Sequence, residues 1–210
     1  MRVLRGTLVS DGSSDRMLFP VLRWLGREHG VVALELERPN FGSLPERPEG
    51  LVDRIRAAVG MSPCDLLFLH RDAEARTFQE REDEISRAMS ELGSTIPHVR
   101  IIPVRMSEAW LLIEEKAIRR VAQKPNGRTQ LDIPHVRQLE SLPDPKSTLI
   151  KMLLDASELR GRRRDQFKRR THEHIHQVAE FISDFSPLRQ VDAFARLEAE
   201  FVITTAGLGQ

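Results

Sequence analysis

Tyrosine is absent from this 210-residue chain and cysteine occurs once, as Cys64. Without tyrosine, no covalent intermediate on a phenolic oxygen can form within this polypeptide. One cysteine excludes an internal disulfide framework and a cysteine-based zinc site, and a reducing, cytoplasmic compartment is the default expectation. No apolar run approaches the about 20 residues that a bilayer-spanning helix needs. Met1-Arg2-Val3-Leu4-Arg5 leads straight into a strand-like segment, with no apolar signal core, so no membrane attachment is expected. The chain also lacks a Walker lysine loop, a GxGxxG turn and a GxSxG elbow, so nucleotide hydrolysis would have to come from a partner. Lysine is scarce too: only Lys116, Lys124, Lys146, Lys151 and Lys168 among 32 basic residues. Arginine suits bidentate phosphate contacts, although genomic base composition explains the bias more simply. The net charge of +1 does not by itself point to a polyanionic partner.

What is present is a 40% hydrophobic chain whose apolar residues come in short segments, enough for a real core. Val3 to Ser10 reads as a strand. Asp11-Gly12-Ser13-Ser14-Asp15 is a turn with capping chemistry, and Met17, Leu18, Val21, Leu22 and Leu25 follow at helical spacing as far as Gly30. Residues 31–37 form a second strand, 38–48 a loop rich in Pro, Gly and Asn, and 50–59 a helix. Residues 65–70 (DLLFLH) are almost uniformly apolar, as in a strand covered on both faces. A loop over 71–76, a helix over 78–92 and a strand over 99–104 come next, and Ser107 is expected to cap a helix reaching Glu115. This alternation predicts an α/β fold, a mostly parallel four-stranded Rossmann-like sheet flanked by helices. Residues 124–145 read as a mobile segment or irregular lid. Helices are expected over 146–156, 164–182 and 187–202, with a frayed tail from 204. The predicted division is an α/β domain over 1–122 and a loop-rich helical extension over 123–210.

The strand ends carry the chemistry. Asp11 follows the first strand and Asp15 sits in the helix start after it. Alone, this pair is more simply an N-cap and a charge complementing the helix dipole. The third strand runs into His70-Arg71-Asp72-Ala73-Glu74, where Asp72 and Glu74 would point the same way in extended backbone. Their carboxylates are hard oxygen ligands suited to Mg²⁺ or Mn²⁺. A solvated polar loop is the plainer reading, but an acid cluster is a poor end for an apolar strand. Glu108 follows the fourth strand, within Ser107-Glu108-Ala109-Trp110-Leu111-Leu112. In a parallel sheet the loops after the strands share one edge, where ligands of open α/β sheets bind. Asp11, Asp72 and Glu108 are therefore expected to meet there.

Asp11-Gly12-Ser13-Ser14-Asp15 resembles the Glu-Gly-x-Ser/Thr-Asp/Glu signature that opens Toprim domains, and His70-Arg71-Asp72 is similar to their Asp-x-Asp motif. Glu108-Ala109-Trp110-Leu111-Leu112, Asp144-Pro145-Lys146 and Ser186-Pro187-Leu188 resemble a Toprim-like family of unknown function, DUF4276, encoded beside ATPases related to the overcoming-lysogenization-defect nucleases. The resemblance implies a Toprim-like fold and metal-dependent chemistry on nucleic-acid phosphodiesters. It assigns catalysis to Asp11, Asp72 and Lys146, and a Mg²⁺ or Mn²⁺ site to Asp11, Asp15, Asp72, Glu74 and Glu108. His70 and Arg71 become phosphate contacts. An ATPase partner, a role in anti-phage or foreign-DNA defence, and DNA ahead of RNA as substrate follow from the same resemblance; oligomeric state stays open. The chain departs from the pattern twice. Asp11 is one methylene, about 1.5 Å, shorter than the family glutamate, and His70 replaces the first aspartate of the pair. A binding or regulatory subunit without turnover is therefore the alternative expectation. An Asp72 phosphotransfer nucleophile is the third, and it leaves Glu108 unexplained.

Two further patterns lie in the second half. Arg160, Arg162, Arg163, Arg164, Lys168, Arg169 and Arg170 place seven cations in eleven residues against one acid, Asp165. The last six are expected to contact a phosphate backbone, although a solvated helix start is the simpler alternative; only Phe167 offers stacking. His172, His174 and His176 alternate at spacing two, which spreads them around a helix. They read as surface or partner-facing residues, and a zinc site on His172 and His176 is disfavoured.

Overall fold

In a computed structural model, residues 3–10 and 12–208 are described, Ser13 and Ser14 by their backbone alone. Four strands, β1 (Val3–Val9), β2 (Ala33–Glu37), β3 (Leu66–His70) and β4 (His98–Ile101), form one sheet in the order β2-β1-β3-β4. All three pairings are parallel, with Gly6 opposite Leu36 and Leu66, and Leu67 opposite His98. The fold is α/β, with helices flanking the sheet and a helix, α8 (Asp192–Ala206), near the C-terminus. β3 is central and buried at every residue, which is why its sequence does not alternate. β2, at an edge, keeps Glu35 and Glu37 exposed.

The chain divides into two compact units: residues 1–13, 22–104 and 196–210 form the sheet unit, and residues 14–21 and 105–195 the helical unit. The expected boundary between 122 and 123 is thus not where the compact units divide. The divisions fall inside α1 (Leu18–Glu28) and α8, and the helical unit begins before residue 123.

Within the sheet unit, Leu67 and Leu69 face a core filled by Leu51, Ile55 and Ala58 of α2 (Gly50–Met61) and by Ile85, Ala88 and Met89 of α3 (Phe78–Leu92). Phe68, on the opposite face of the same strand, stacks on Phe201 of α8 at 6.3 Å. Gly6 lets β1 approach this layer, because a Cβ there would lie 2.7 Å from the Phe68 ring and 2.9 Å from Leu36. Arg100 of β4 joins two helices, its Nη1 2.6 Å from Glu82 of α3 and its Nε 2.8 Å from Glu200 of α8. Apolar burial of this kind stabilises at roughly 25 cal/mol per Å²; the ion pairs add register to it.

The helical unit contains α4 (Glu115–Val121), α5 (Pro145–Ala156), α6 (Gly161–Arg169) and α7 (Thr171–Phe181). Trp110 meets Phe194 edge-on, ring centroids 5.5 Å apart. Several element boundaries differ from expectation for local reasons. β4 stops at Ile101 rather than 104, since Pro103 has no N–H to donate. Residues 107–111 form a 3-10 turn instead of a helix to Glu115; its N-cap is Met106, and Ser107 is buried inside the turn. The expected helix over 164–182 is two, broken at Arg170 (φ −104°, ψ 14°). The helix expected from 187 begins with a 3-10 turn, Ser186–Gln190, and α8 then continues to Ala206, past the expected fraying point at 204. The 124–145 segment is anchored. Thr129 O accepts from Arg119 Nη2 at 2.7 Å, and Glu158 Oε1 accepts from the Arg128 and Thr129 amides and the Thr129 hydroxyl. No described helix is long and apolar enough to cross a membrane.

Candidate functional site

The order β2-β1-β3-β4 reverses the direction of strand addition between β1 and β3: the chain leaves β1 toward one edge and β3 toward the other. The crevice outside the carboxyl ends at such a reversal is where open α/β sheets hold ligands. Val9 pairs with Leu69, so the segments that follow, Ser10 on one side and His70-Arg71-Asp72 on the other, leave the sheet next to each other. Asp11, expected at this point, lies outside the described residues.

The β3 side is closely tied. His70 is buried, and its Nε2 lies 3.2 Å from Asp72 Oδ1. A carboxylate at this distance favours a proton on that ring nitrogen. α3 holds the loop from the other side: Arg81 Nε donates to Asp72 O at 2.9 Å, and its Nη1 reaches Glu84 Oε2 at 2.8 Å. Arg71 Nη2 lies 2.9 Å from Glu84 Oε1. Burial draws the Arg71 pKa down, with Glu84 opposing it. At Glu84 burial opposes ionisation, but the Arg81 hydrogen bond and the charges of Arg71, Arg81 and Arg76 outweigh it and hold the carboxyl below its usual range. Arg71, expected as a phosphate contact, thus has a carboxylate partner within the fold.

Glu74 is not in the extended backbone that would align it with Asp72. The Ala73 amide donates to Pro103 O at 2.8 Å, and the Arg76 amide turns back to Ala73 O at 2.8 Å. This closes a turn in which exposed Glu74 takes φ 53°.

On the β1 and β2 side lies a cavity of about 320 Å³ that the sequence reading missed. Its lining includes Ser10, Asn40 and three arginines, Arg38, Arg47 and Arg54. Arg38 Nε donates to Ser10 Oγ at 3.1 Å, and Asn40 Oδ1 accepts from the Gly42 amide at 3.1 Å. The signal available in sequence was an arginine at each end of the Pro/Gly/Asn-rich loop. It was hidden because arginine is common throughout the chain.

The other expected site residues belong to the helical unit. Glu108 does not stand at the end of β4. It is buried in the 107–111 turn, with Lys146 Nζ 3.4 Å from its Oε1. Lys146 is held in the first turn of α5, where Asp144 Oδ1 accepts from the Ser147 amide at 2.8 Å and Pro145 starts the helix. Asp15 is also buried, in the 3-10 turn Ser13–Met17. Of the described carboxylates expected at the site, Asp72 and Glu74 belong to the sheet unit and Asp15 and Glu108 to the helical unit. Among the described residues, no group of three or more His, Cys, Asp or Glu side chains could hold a metal ion.

The basic stretch also sorts itself. Arg164 Nη1 donates to Leu154 O at 2.8 Å and Nη2 to Asp155 at 3.4 Å, so this arginine ties α6 to α5. Arg170 is paired with Glu173 at 2.6 Å. Arg162, Arg163, Lys168 and Arg169 are exposed. His172 is exposed as expected, but His174 is buried against Phe167, ring centroids 3.9 Å apart. Comparison of the chain with protein-family models, with curated proteins and with solved structures finds no match.

Proposed function

We propose that this chain binds nucleic-acid phosphodiesters at the carboxyl edge of its parallel sheet and hydrolyses them as a Mg²⁺- or Mn²⁺-dependent nuclease subunit, with DNA the preferred substrate. The observation that carries the reading is the β1/β3 reversal, where the His70–Asp72 pair stands at the end of β3 and the arginine-lined cavity lies beyond β1 and β2. Arg38, Arg47 and Arg54 offer the planar donor forks that bind phosphate oxygens. The His70–Asp72 pair would hold a proton between Nε2 and Oδ1 at the end of β3. A divalent ion would supply charge neutralisation and an activated water there. The Toprim-like motifs support the same reading and suggest an ATPase partner and a defence role.

The test is cleavage of single- and double-stranded DNA and RNA with Mn²⁺, comparing the wild-type chain with Asp72→Ala. The expected outcome is a loss of about 100-fold or more in rate. Equal cleavage by the two proteins, or none by either with the partner ATPase present, overturns the proposal.

A second reading, a nucleic-acid-binding subunit without turnover, is favoured by the pairing of Glu108 with Lys146. It predicts DNA binding with no thermal shift on adding Mn²⁺.

A further inference from the structure

The helical unit contains a second, larger cavity, of about 720 Å³. Ligand pockets for small organic molecules fall at about 300–1,000 Å³. It lies beside the last turn of α4, the end of α5, and α6 and α7. Its lining includes four cations, Lys124, Arg163, Arg169 and Arg170, and no carboxylate. Arg170 is balanced by Glu173 from outside the lining; Arg163 and Arg169 make no ion pair among the described residues.

The rest of the wall is of a different kind. Phe167 and His174 stack within 24° of parallel and both line the cavity, together with Ala122 and Leu159. His174 is 7% exposed, and its Nδ1 is buried with no hydrogen-bond partner among the described residues. Burial, and then Arg170, lowers the His174 pKa, so the ring is neutral near pH 7 and can stack as an uncharged aromatic. Two amide side chains, Gln123 and Gln166, also face the cavity. Each can donate and accept, as the edge of a base requires.

Gln123, which lines the cavity, and Glu158, which lies between the lining residues Ser157 and Leu159 with its carboxylate in the field of Lys124, both take left-handed backbone, φ 57° and 54°, without being glycine. Such conformations persist where surrounding contacts enforce them. Here Glu158 is fixed by the Arg128 and Thr129 amides, and Gly127 is fitted closely, since a Cβ there would meet Arg119 Nη1 at 3.0 Å and Glu158 Oε1 at 3.1 Å.

We infer that this cavity binds a phosphorylated nucleoside, the phosphate on Arg163, Arg169 and Lys124 and the base against the Phe167–His174 ring pair, with Gln123 and Gln166 at its polar edge. Cations alone would suit any anion; the ring pair and the amides select a flat, hydrogen-bonding group. A cavity of this volume takes one nucleotide unit and excludes a duplex, so the ligand is a free mononucleotide or the phosphorylated end of a single strand. The inference is independent of the hydrolase reading, since its residues all lie in the helical unit.

Calorimetric titration of the full chain in EDTA tests it, with adenosine 5′-monophosphate, adenosine, inorganic phosphate and a 5′-phosphorylated trinucleotide as probes. The monophosphate or the trinucleotide should bind at least about tenfold more tightly than adenosine or phosphate, and Arg163→Glu and Arg169→Glu should each weaken it by about tenfold or more. Both arginines are exposed, so circular dichroism should show the variants folded. Phe167→Leu should weaken the nucleotide and leave phosphate unchanged. Tighter binding of the trinucleotide than of the monophosphate identifies a strand end; the reverse identifies a free nucleotide. Absence of binding, nucleotide binding no tighter than phosphate, or binding indifferent to Arg163→Glu and Arg169→Glu overturns the inference. Arg162→Glu, exposed and outside the lining, should leave the affinity unchanged; because the readout here is binding in EDTA and that of the nuclease proposal is Mn²⁺-dependent cleavage, failure of the one is distinguishable from failure of the other.

Discussion

At the scale of single residues, identical side chains in one run have different roles. Arg162, Arg163 and Arg164 are consecutive, yet only Arg164 reaches back to α5, through Leu154 O and Asp155. Removing a charge-assisted hydrogen bond to a partly buried carbonyl costs about 1–2 kcal/mol. Arg164→Ala is therefore expected to lower the melting temperature, whereas Arg162→Ala, exposed and outside the cavity lining, leaves it unchanged. Thermal denaturation of both variants checks this; equal melting temperatures would contradict it. The same contrast separates His172 from His174. Their sequence spacing shows that they diverge around a helix, but not that His174 turns inward onto Phe167.

At the scale of elements, α3 positions the loop after β3. Its start is secured by a capping box: Thr77 Oγ1 accepts from the Glu80 amide at 3.2 Å, and the Thr77 amide donates to Glu80 Oε2 at 2.6 Å. The first turns then place Arg81 on Asp72 O and Glu84 on Arg71. Thr77→Ala should cost about 1 kcal/mol, within the range for lost N-caps. It should also speed amide exchange at Thr77 and Glu80 ahead of the α3 centre, measured by hydrogen exchange. Uniform acceleration along α3 would mean the cap does not control that end. The helix itself was legible in the sequence, over residues 78–92. Its ties to the β3 loop were not, because Arg81 and Glu84 look like any exposed helical charges until the sheet is built beneath them.

At the scale of the whole molecule, three histidines give the fold a common pH response. Burial is the first cause lowering the pKa of His98, His174 and His176. Around His98, Arg100 adds to this and Glu200 opposes it; around His174, Arg170 adds and Glu173 opposes. Around His176, His172 and Arg16 add while Asp15 and Glu180 oppose. In the unfolded chain these rings take up protons near pH 6.5, about the free-histidine value. In the folded chain they do so only at lower pH. The unfolded state therefore binds more protons in between, and stability present above about pH 6.5 is lost as pH falls through the folded values. Melting temperature should decline between about pH 7.5 and pH 5.5, before most carboxylates titrate. A flat profile over that window would show that burial does not hold the rings neutral.

The sequence by itself determined the α/β class, the parallel sheet and the burial of β3, because hydrophobic period and strand–helix alternation are local properties that a parallel sheet enforces. It also placed His70 at the end of β3 and Asp72 just beyond it, where the two side chains lie 3.2 Å apart. Only the tertiary structure decided which charges are partnered within the fold. Pairing Glu108 with Lys146, assigning it to the helical unit, and setting Arg38, Arg47 and Arg54 around one cavity all depend on contacts between residues distant in sequence. Hydrophobic patterning carries no record of such contacts. A carboxylate bound for solvent, for a lysine or for a ligand is written with the same residue, and the fold alone separates them.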